Sequence, residues 1–227
     1  MSRDDAFITR NTVITHGEST SSQASLNRHG GLIVTDFYTQ LLLSGYCFHM
    51  QTGTEDAPIT TDALMDDVEC IIVADTTSGS LIPLFADVNH STFAAVTTIH
   101  IMLEADMDKV RYASGGQVFV PEQMNGAATS ADAAAGSFFT MESADIVAAA
   151  KSAVPASVEL ARRSLTEDAV SDPATGQMAR TPLFSCTSQT PVIISTPGSV
   201  LLHAGASADI TAYGSLDFAQ LATGLLY

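Results

Sequence analysis

Short apolar runs rich in β-branched and aromatic residues recur along the whole chain, separated by clusters of Gly, Pro, Asp, Ser and Thr. Mostly short apolar runs bounded by turn formers favour a β-rich fold. The candidate strands are Gly31–Leu43, Cys70–Ala74, Ser80–Val88, Val96–Glu104, Gln117–Val120, Pro191–Ser195, Ser199–Ala204 and Asp209–Leu221. Val96–Glu104 is the clearest. Val96, Thr98, His100 and Met102 alternate with Thr97, Ile99, Ile101 and Leu103, so both faces are largely apolar, as in the middle of a sandwich.

Other segments are less one-sided. Gly31–Gly45 fits either period through Leu41-Leu42-Leu43, and the Ile, Val, Thr, Phe and Tyr at its start favour extended structure. Asp75-Thr-Thr-Ser-Gly79-Ser80 joins two apolar runs in the manner of a hairpin. Ser143–Leu165 reads as helical, with Ser143 as cap before Ile146-Val-Ala-Ala-Ala150; Pro155 either breaks this helix or opens a second one. Gln51–Asp67, Asn125–Gly136 and Thr166–Thr181 read as loops. Met1–Gly30 is Ser/Thr/Asn-rich, with a short strand candidate at Ala6–Ile14, and reads as an arm ordered by a neighbour.

The expected fold is all-β: a single jelly-roll-type antiparallel β-sandwich over residues 31–227, an extended N-terminal arm over 1–30, and a small helical insert near 143–165. An immunoglobulin-like sandwich is the alternative, with tighter strand spacing.

The charge balance limits partners. Nine Lys+Arg against twenty-five Asp+Glu give a net charge of −16. Direct genome binding depends on cations that neutralise phosphates, so strong nucleic-acid binding is not expected. Charged residues are 15% of the chain and apolar residues 46%, so much of the polar surface is Ser, Thr, Asn and Gln. A weakly charged surface of this kind suits packing against copies of the same chain. Cys47, Cys70 and Cys186 sit in apolar runs and are expected as buried free thiols. The polar Met1-Ser-Arg-Asp-Asp5 start lacks the apolar core of a signal peptide, and no run approaches the ~18 apolar residues of a spanning helix. Synthesis in a cytoplasm is the expectation.

Motifs for chemistry are sparse. His100 and Glu104, with His203 later, faintly resemble the metal set of cupins, but Thr98 stands where the first His of a His-x-His pair belongs. Asp62, Asp66 and Asp67, or Asp106 and Asp108, offer oxygen ligands for Ca²⁺ without EF-hand spacing. Gly30-Gly31 and Gly115-Gly116 lack the Lys-Ser/Thr of a phosphate loop, and no Gly-x-Ser-x-Gly frames a serine. The expectation is a non-enzyme, with no catalytic, cofactor-binding or metal residue assigned and no cofactor.

Two stretches carry a family resemblance. Arg28-His-Gly-Gly-Leu-Ile-Val-Thr-Asp-Phe-Tyr38 with Ser44-Gly-Tyr-Cys-Phe48 opens the chain's strand-forming part. Pro197-Gly-Ser-Val-Leu-Leu-His-Ala-Gly205 and Ala212-Tyr-Gly-Ser-Leu-Asp-Phe-Ala-Gln-Leu221 close it. In these the chain resembles the small jelly-roll structural proteins of bacterial viruses. The resemblance implies a self-assembling capsid, cement or spike subunit of a bacteriophage virion. It would be made in the host cytoplasm and partnered by its own copies, as trimers or pentamers, and by other virion proteins. Exchanged termini are part of that picture, with Leu216–Tyr227 as a second clasp. A lectin-like receptor-binding sandwich of a fibre or spike is the alternative, and a cupin-like metalloenzyme a more distant one.

Overall fold

The computed structural model describes residues 37–54, 56–61, 69–93, 97–125, 136–142, 145–167, 182–190, 192–206 and 210–221. In chain order these form α1 (Phe37–Leu43), β1 (Cys47–Thr52), β2 (Ile59–Thr61), β3 (Glu69–Cys70), β4 (Ile72–Thr76) and β5 (Ser80–Phe93). There follow β6 (Thr97–Asp106), β7 (Tyr112–Gly115), β8 (Gln117–Val118), β9 (Glu122–Gln123) and β10 (Ser137–Thr140). The last elements are β11 (Ile146–Ala148), β12 (Ser157–Glu167), β13 (Phe184–Ser185), β14 (Gly198–Ala206) and β15 (Ile210–Leu221).

Strands pair antiparallel in three sheets. Sheet 1 runs β13-β5-β15-β1-β9, with β2 also on β15; sheet 2 runs β12-β6-β14-β4-β10-β8; sheet 3 is β3-β11-β7. Sheets 1 and 2 face each other across the main core. β15 shows why: Ile210, Ala212, Gly214, Leu216 and Phe218 are buried, while Thr211, Tyr213, Ser215 and Asp217 between them are half-exposed. Phe218 stacks on Phe48 of its own sheet and on Phe138 of sheet 2, with ring centroids 5.7 and 5.4 Å apart. In sheet 2, by contrast, β4 is buried throughout and β14 almost throughout. A strand buried on both faces needs cover on both. Sheet 1 covers one face, and a third layer containing sheet 3 covers the other, where Tyr112 stacks flat on Phe139.

Several expectations are corrected. The helical insert near 143–165 is instead β11 and β12. Pro155, without an N–H, cannot continue a helix through this stretch. A register shift between Glu159 and Ala161 resets the alternation of β12, after which Arg162, Ser164 and Thr166 face out opposite Met102, His100 and Thr98. Ala-rich composition suggested helix, and a ten-residue partner strand overrides that weak preference. Gly31–Leu43 is not a strand where it is described. α1 places Tyr38, Leu41 and Leu42 on one face against Cys47, Ile82, Ala219 and Leu221, the i, i+3, i+4 stripe of a packed helix. It ends at Gly45, whose φ of 78° takes the left-handed conformation of a helix C-terminus.

The link after Asp75 is not a hairpin: β4 and β5 belong to different sheets, so the chain crosses the core there. Of the expected strand Pro191–Ser195, the described residues 192–195 contribute a bridge between Ile194 and Leu81 rather than a strand. Gln117–Val120 shortens to β8, and Gln51–Asp67 holds the end of β1 and all of β2. Thr166 and Glu167 extend β12 into the expected loop, and Leu216–Leu221 is central strand rather than clasp. The arm 1–30, most of Asn125–Gly136, residues 168–181, Asp62, Asp66, Asp67 and residues 222–227 lie outside the described residues. All three cysteines are free; Cys47 and Cys70 are buried and Cys186 is half-buried. No described helix is long and apolar enough to cross a membrane.

Candidate functional site

Residues 117–125 form an extended ribbon along one side of the sandwich. Gly115 and Gly116 turn the chain out of sheet 3 with φ of 80° and 59°, and a Cβ on Gly115 would lie 1.9 Å from the Asp145 carbonyl. The ribbon begins as β8, the terminal strand of sheet 2, and ends as β9, the terminal strand of sheet 1. Its inner side is tied down. Phe119 N–H donates to Phe138 O (2.8 Å), Met124 N–H to Cys47 O (3.0 Å), and the Gln123 amide to Gly45 O (2.6 Å). It exposes three large apolar side chains beside Glu122: Val118 is 74% exposed, Val120 71% and Met124 44%. Leu43, 66% exposed, lies two residues before the Gly45 that holds Gln123. Among the described residues no further strand pairs with β8 or β9 at this edge, and large exposed apolar side chains of this kind mark a surface for another chain.

Behind the ribbon lies a cleft of about 560 Å³, lined by Gly53, Pro58, Ile59 and Phe119 and by the polar groups of His49, Glu122 and Glu142. The pairing of β1 with β15 sets His49 opposite Asp217, and β9 sets Glu122 on its other flank. His49 Nδ1–H donates to Asp217 Oδ1 at 2.6 Å. That hydrogen bond lifts the His49 pKa above its ordinary value; partial burial opposes it, and the Asp217 charge, Gln51 and the Glu122 charge add to it. The cleft therefore combines apolar walls with an acidic rim and an imidazole whose protonated form is favoured by Asp217.

A second polar cluster lies under the third layer. Register places Asp75, Ser199 and Asp106 in one row across β4, β14 and β6, and Leu201 and Glu104 in the next. Arg111, fully buried, lies on this face. Its Nη1 donates to Glu104 Oε1 (3.1 Å) and lies 4.0 Å from Asp106 Oδ2, and its Nε donates to Ala149 O (2.6 Å). Ser157 Oγ donates to the same Glu104 oxygen, and His203 Nε2 stands 3.7 Å from the other. Ser199 Oγ donates to Asp75 Oδ1 (2.5 Å), and Asp75 Oδ2 accepts from Tyr112 N–H (3.1 Å). Burial raises the Asp75 pKa in spite of its bonds to Ser199, Tyr112 and Arg111. Burial pushes Asp106 the same way, but hydrogen bonds from Ser152 and Asp108 and the Arg111 charge together hold it below its ordinary value. A buried network of this kind fastens the third layer to sheet 2.

No catalytic, cofactor or metal residue was expected from the sequence, and the weighed candidates part company in space. His203 and Glu104 meet, but inside the Arg111 network. His100 lies four residues along β6 from Glu104, about 13 Å on a strand, and its Nδ1 meets Ser164 Oγ at 2.8 Å. Asp106 is engaged by Ser152 and Asp108 N–H groups. Among the described residues, no group of three or more His, Cys, Asp or Glu is arranged to hold a metal. Sequence reasoning missed the His49–Asp217 pair, whose members are 168 positions apart, and the ribbon's outward Val118, Val120 and Met124. In the sequence this stretch showed only as the strand candidate Gln117–Val120. No protein-family model, curated protein or solved structure matches this chain.

Proposed function

We propose that the chain is a self-assembling structural subunit of a bacteriophage particle, a capsid or capsid-associated protein built on a jelly-roll-type sandwich. The single observation that carries the reading is the ribbon 117–125, which sets Val118, Val120 and Met124 outward where, among the described residues, sheets 1 and 2 each end in a strand with one unpaired edge. A surface of that kind is stabilised by a partner and is a liability without one. The crossings from β4 to β5 to β6 and from β14 to β15, each passing between the two sheets, support the jelly-roll reading. The low charge content supports repeated contact between copies. The acidic balance argues that any genome is retained by other components. Residues 1–30 are the proposed arm, adding to a neighbour's sheet edge.

The test is light-scattering mass with negative-stain microscopy across protein concentration, salt and pH. Discrete oligomers or shells are expected; a strict monomer at high concentration overturns the reading. The His49 cleft favours a second reading, a ligand-binding sandwich of a fibre or spike, which predicts saturable ligand binding lost in Glu142→Gln and His49→Gln.

A further inference from the structure

The chain has two lysines, Lys109 and Lys151, and the fold brings their segments together. Lys109 lies in the turn after β6, and Lys151 in the segment between β11 and β12. Three hydrogen bonds join these stretches: Met107 N–H to Ala156 O (2.8 Å), Ala149 N–H to Arg111 O (2.6 Å) and Ser152 N–H to Asp106 Oδ2 (2.9 Å). The same two stretches expose Met107, Val110 and Val154, the last at 83%. In a chain of net charge −16, this is an apolar patch carrying both ammonium groups, with Asp108 as the acid beside Lys109.

The ribbon is its counterpart. It too exposes large apolar side chains, but Glu122 lies within it and Glu142 on the cleft beside it. The two patches occupy opposite sides of sheet 2. β8 is one terminal strand, and the lysine patch sits where β6 ends and β12 begins, at the other. Four inter-strand steps of about 4.8 Å separate β8 from β6, roughly 19 Å.

Resting on the self-assembly reading, we infer that copies associate head to tail, the lysine patch of one chain docking on the acidic ribbon of the next. Two different complementary surfaces make a heterologous contact, which generates rings or open chains rather than isologous dimers. Apolar side chains supply the contact area, and the charges set partner and orientation, because a ribbon facing a ribbon or a lysine patch facing its own kind juxtaposes like charges.

The experiment uses the full chain and two variants, E122K/E142K and K109E/K151E, with circular dichroism and thermal midpoint as folding controls. Each variant alone is expected to lose association at least tenfold in concentration dependence, since each then presents the same sign on both surfaces. An equimolar mixture is expected to regain assembly by alternation, because every contact in it again joins opposite charges. Association of the unaltered chain should weaken between low and high salt as the charges are screened. This salt series stands on its own if a variant misfolds. Assembly that persists in both variants, fails to return on mixing, or is unmoved by salt overturns the head-to-tail contact while leaving self-assembly standing. A strict monomer overturns both.

Discussion

His90 should make the sandwich acid-labile in a window set by one buried imidazole. It lies on β5 with the parity of Ala86 and Val88, so its ring points into the core, and it is 6% exposed. Among the described residues neither ring nitrogen has a hydrogen-bond partner. Burial alone lowers its pKa from 6.5 to about 4. The unfolded chain then binds a proton between those two values while the folded chain does not. Stability is therefore complete above pH 6.5, falls as pH drops, and has lost this contribution by about pH 4. A shift of that size corresponds to about 3 kcal/mol. Asp75, raised by burial, acts in the opposite sense above its ordinary value, and Asp106, held low, acts below it. Both are common to any His90 variant and cancel in the difference. The assay is urea unfolding of the unaltered chain and of His90→Leu from pH 4 to 8. It is followed by far-ultraviolet circular dichroism, since the chain has no Trp. The Leu variant should be at least as stable at pH 7.5, having lost two unsatisfied nitrogens, and should lack about 3 kcal/mol of the acid decline. Parallel pH profiles for the two proteins would refute the reasoning.

Three further outcomes are expected. Arg111→Met leaves Glu104 and Asp106 buried without their cation and should cost about 3–5 kcal/mol in urea unfolding; a negligible loss would mean that the third layer holds without the guanidinium. His49, raised by Asp217, contributes stability that is fully present below pH 6.5 and lost as pH rises through its folded value. The pair is partly exposed, so the effect should be under about 1 kcal/mol, and in Asp217→Asn the His49 titration followed by nuclear magnetic resonance should return toward the ordinary value. Cys47 is pushed up to about 11, mainly by burial and then by Asp217 and Cys186. It should resist a thiol reagent at pH 8 in the folded C186S variant and react once urea is added; rapid labelling in the folded state would contradict its burial.

What the sequence disclosed and what it hid follow from the range of the interactions involved. β14 and β15 were readable because burial is nearly continuous or alternates along them, and most of β5 and β6 because they carry dense apolar runs between turn formers. β12 was hidden by its bulge, which breaks the period that would have marked it. The chain between β4 and β5 looked like a hairpin because a turn former between apolar runs serves equally to reverse a strand within a sheet and to carry it across a core. Only the partners, β14 and β10 on one side and β15 and β13 on the other, separate the two cases. The polar clusters were hidden for a related reason. Asp75, Glu104 and Asp106 stand near strand ends, where a carboxylate is ordinarily solvated, and nothing local announces that a distant segment will lie over them. The covering layer explains their burial. Arg111 enters from the turn after β6, binds two of these acids through its guanidinium, and presents its backbone N–H to Ser199 Oγ at 2.7 Å. The next residue, Tyr112, lies on Phe139, so one segment both covers the acids and packs the third layer on sheet 2. The acids are therefore better understood as the anchorage of that layer than as a site, and a search for ligands belongs at the ribbon and its cleft, where polar groups still face solvent.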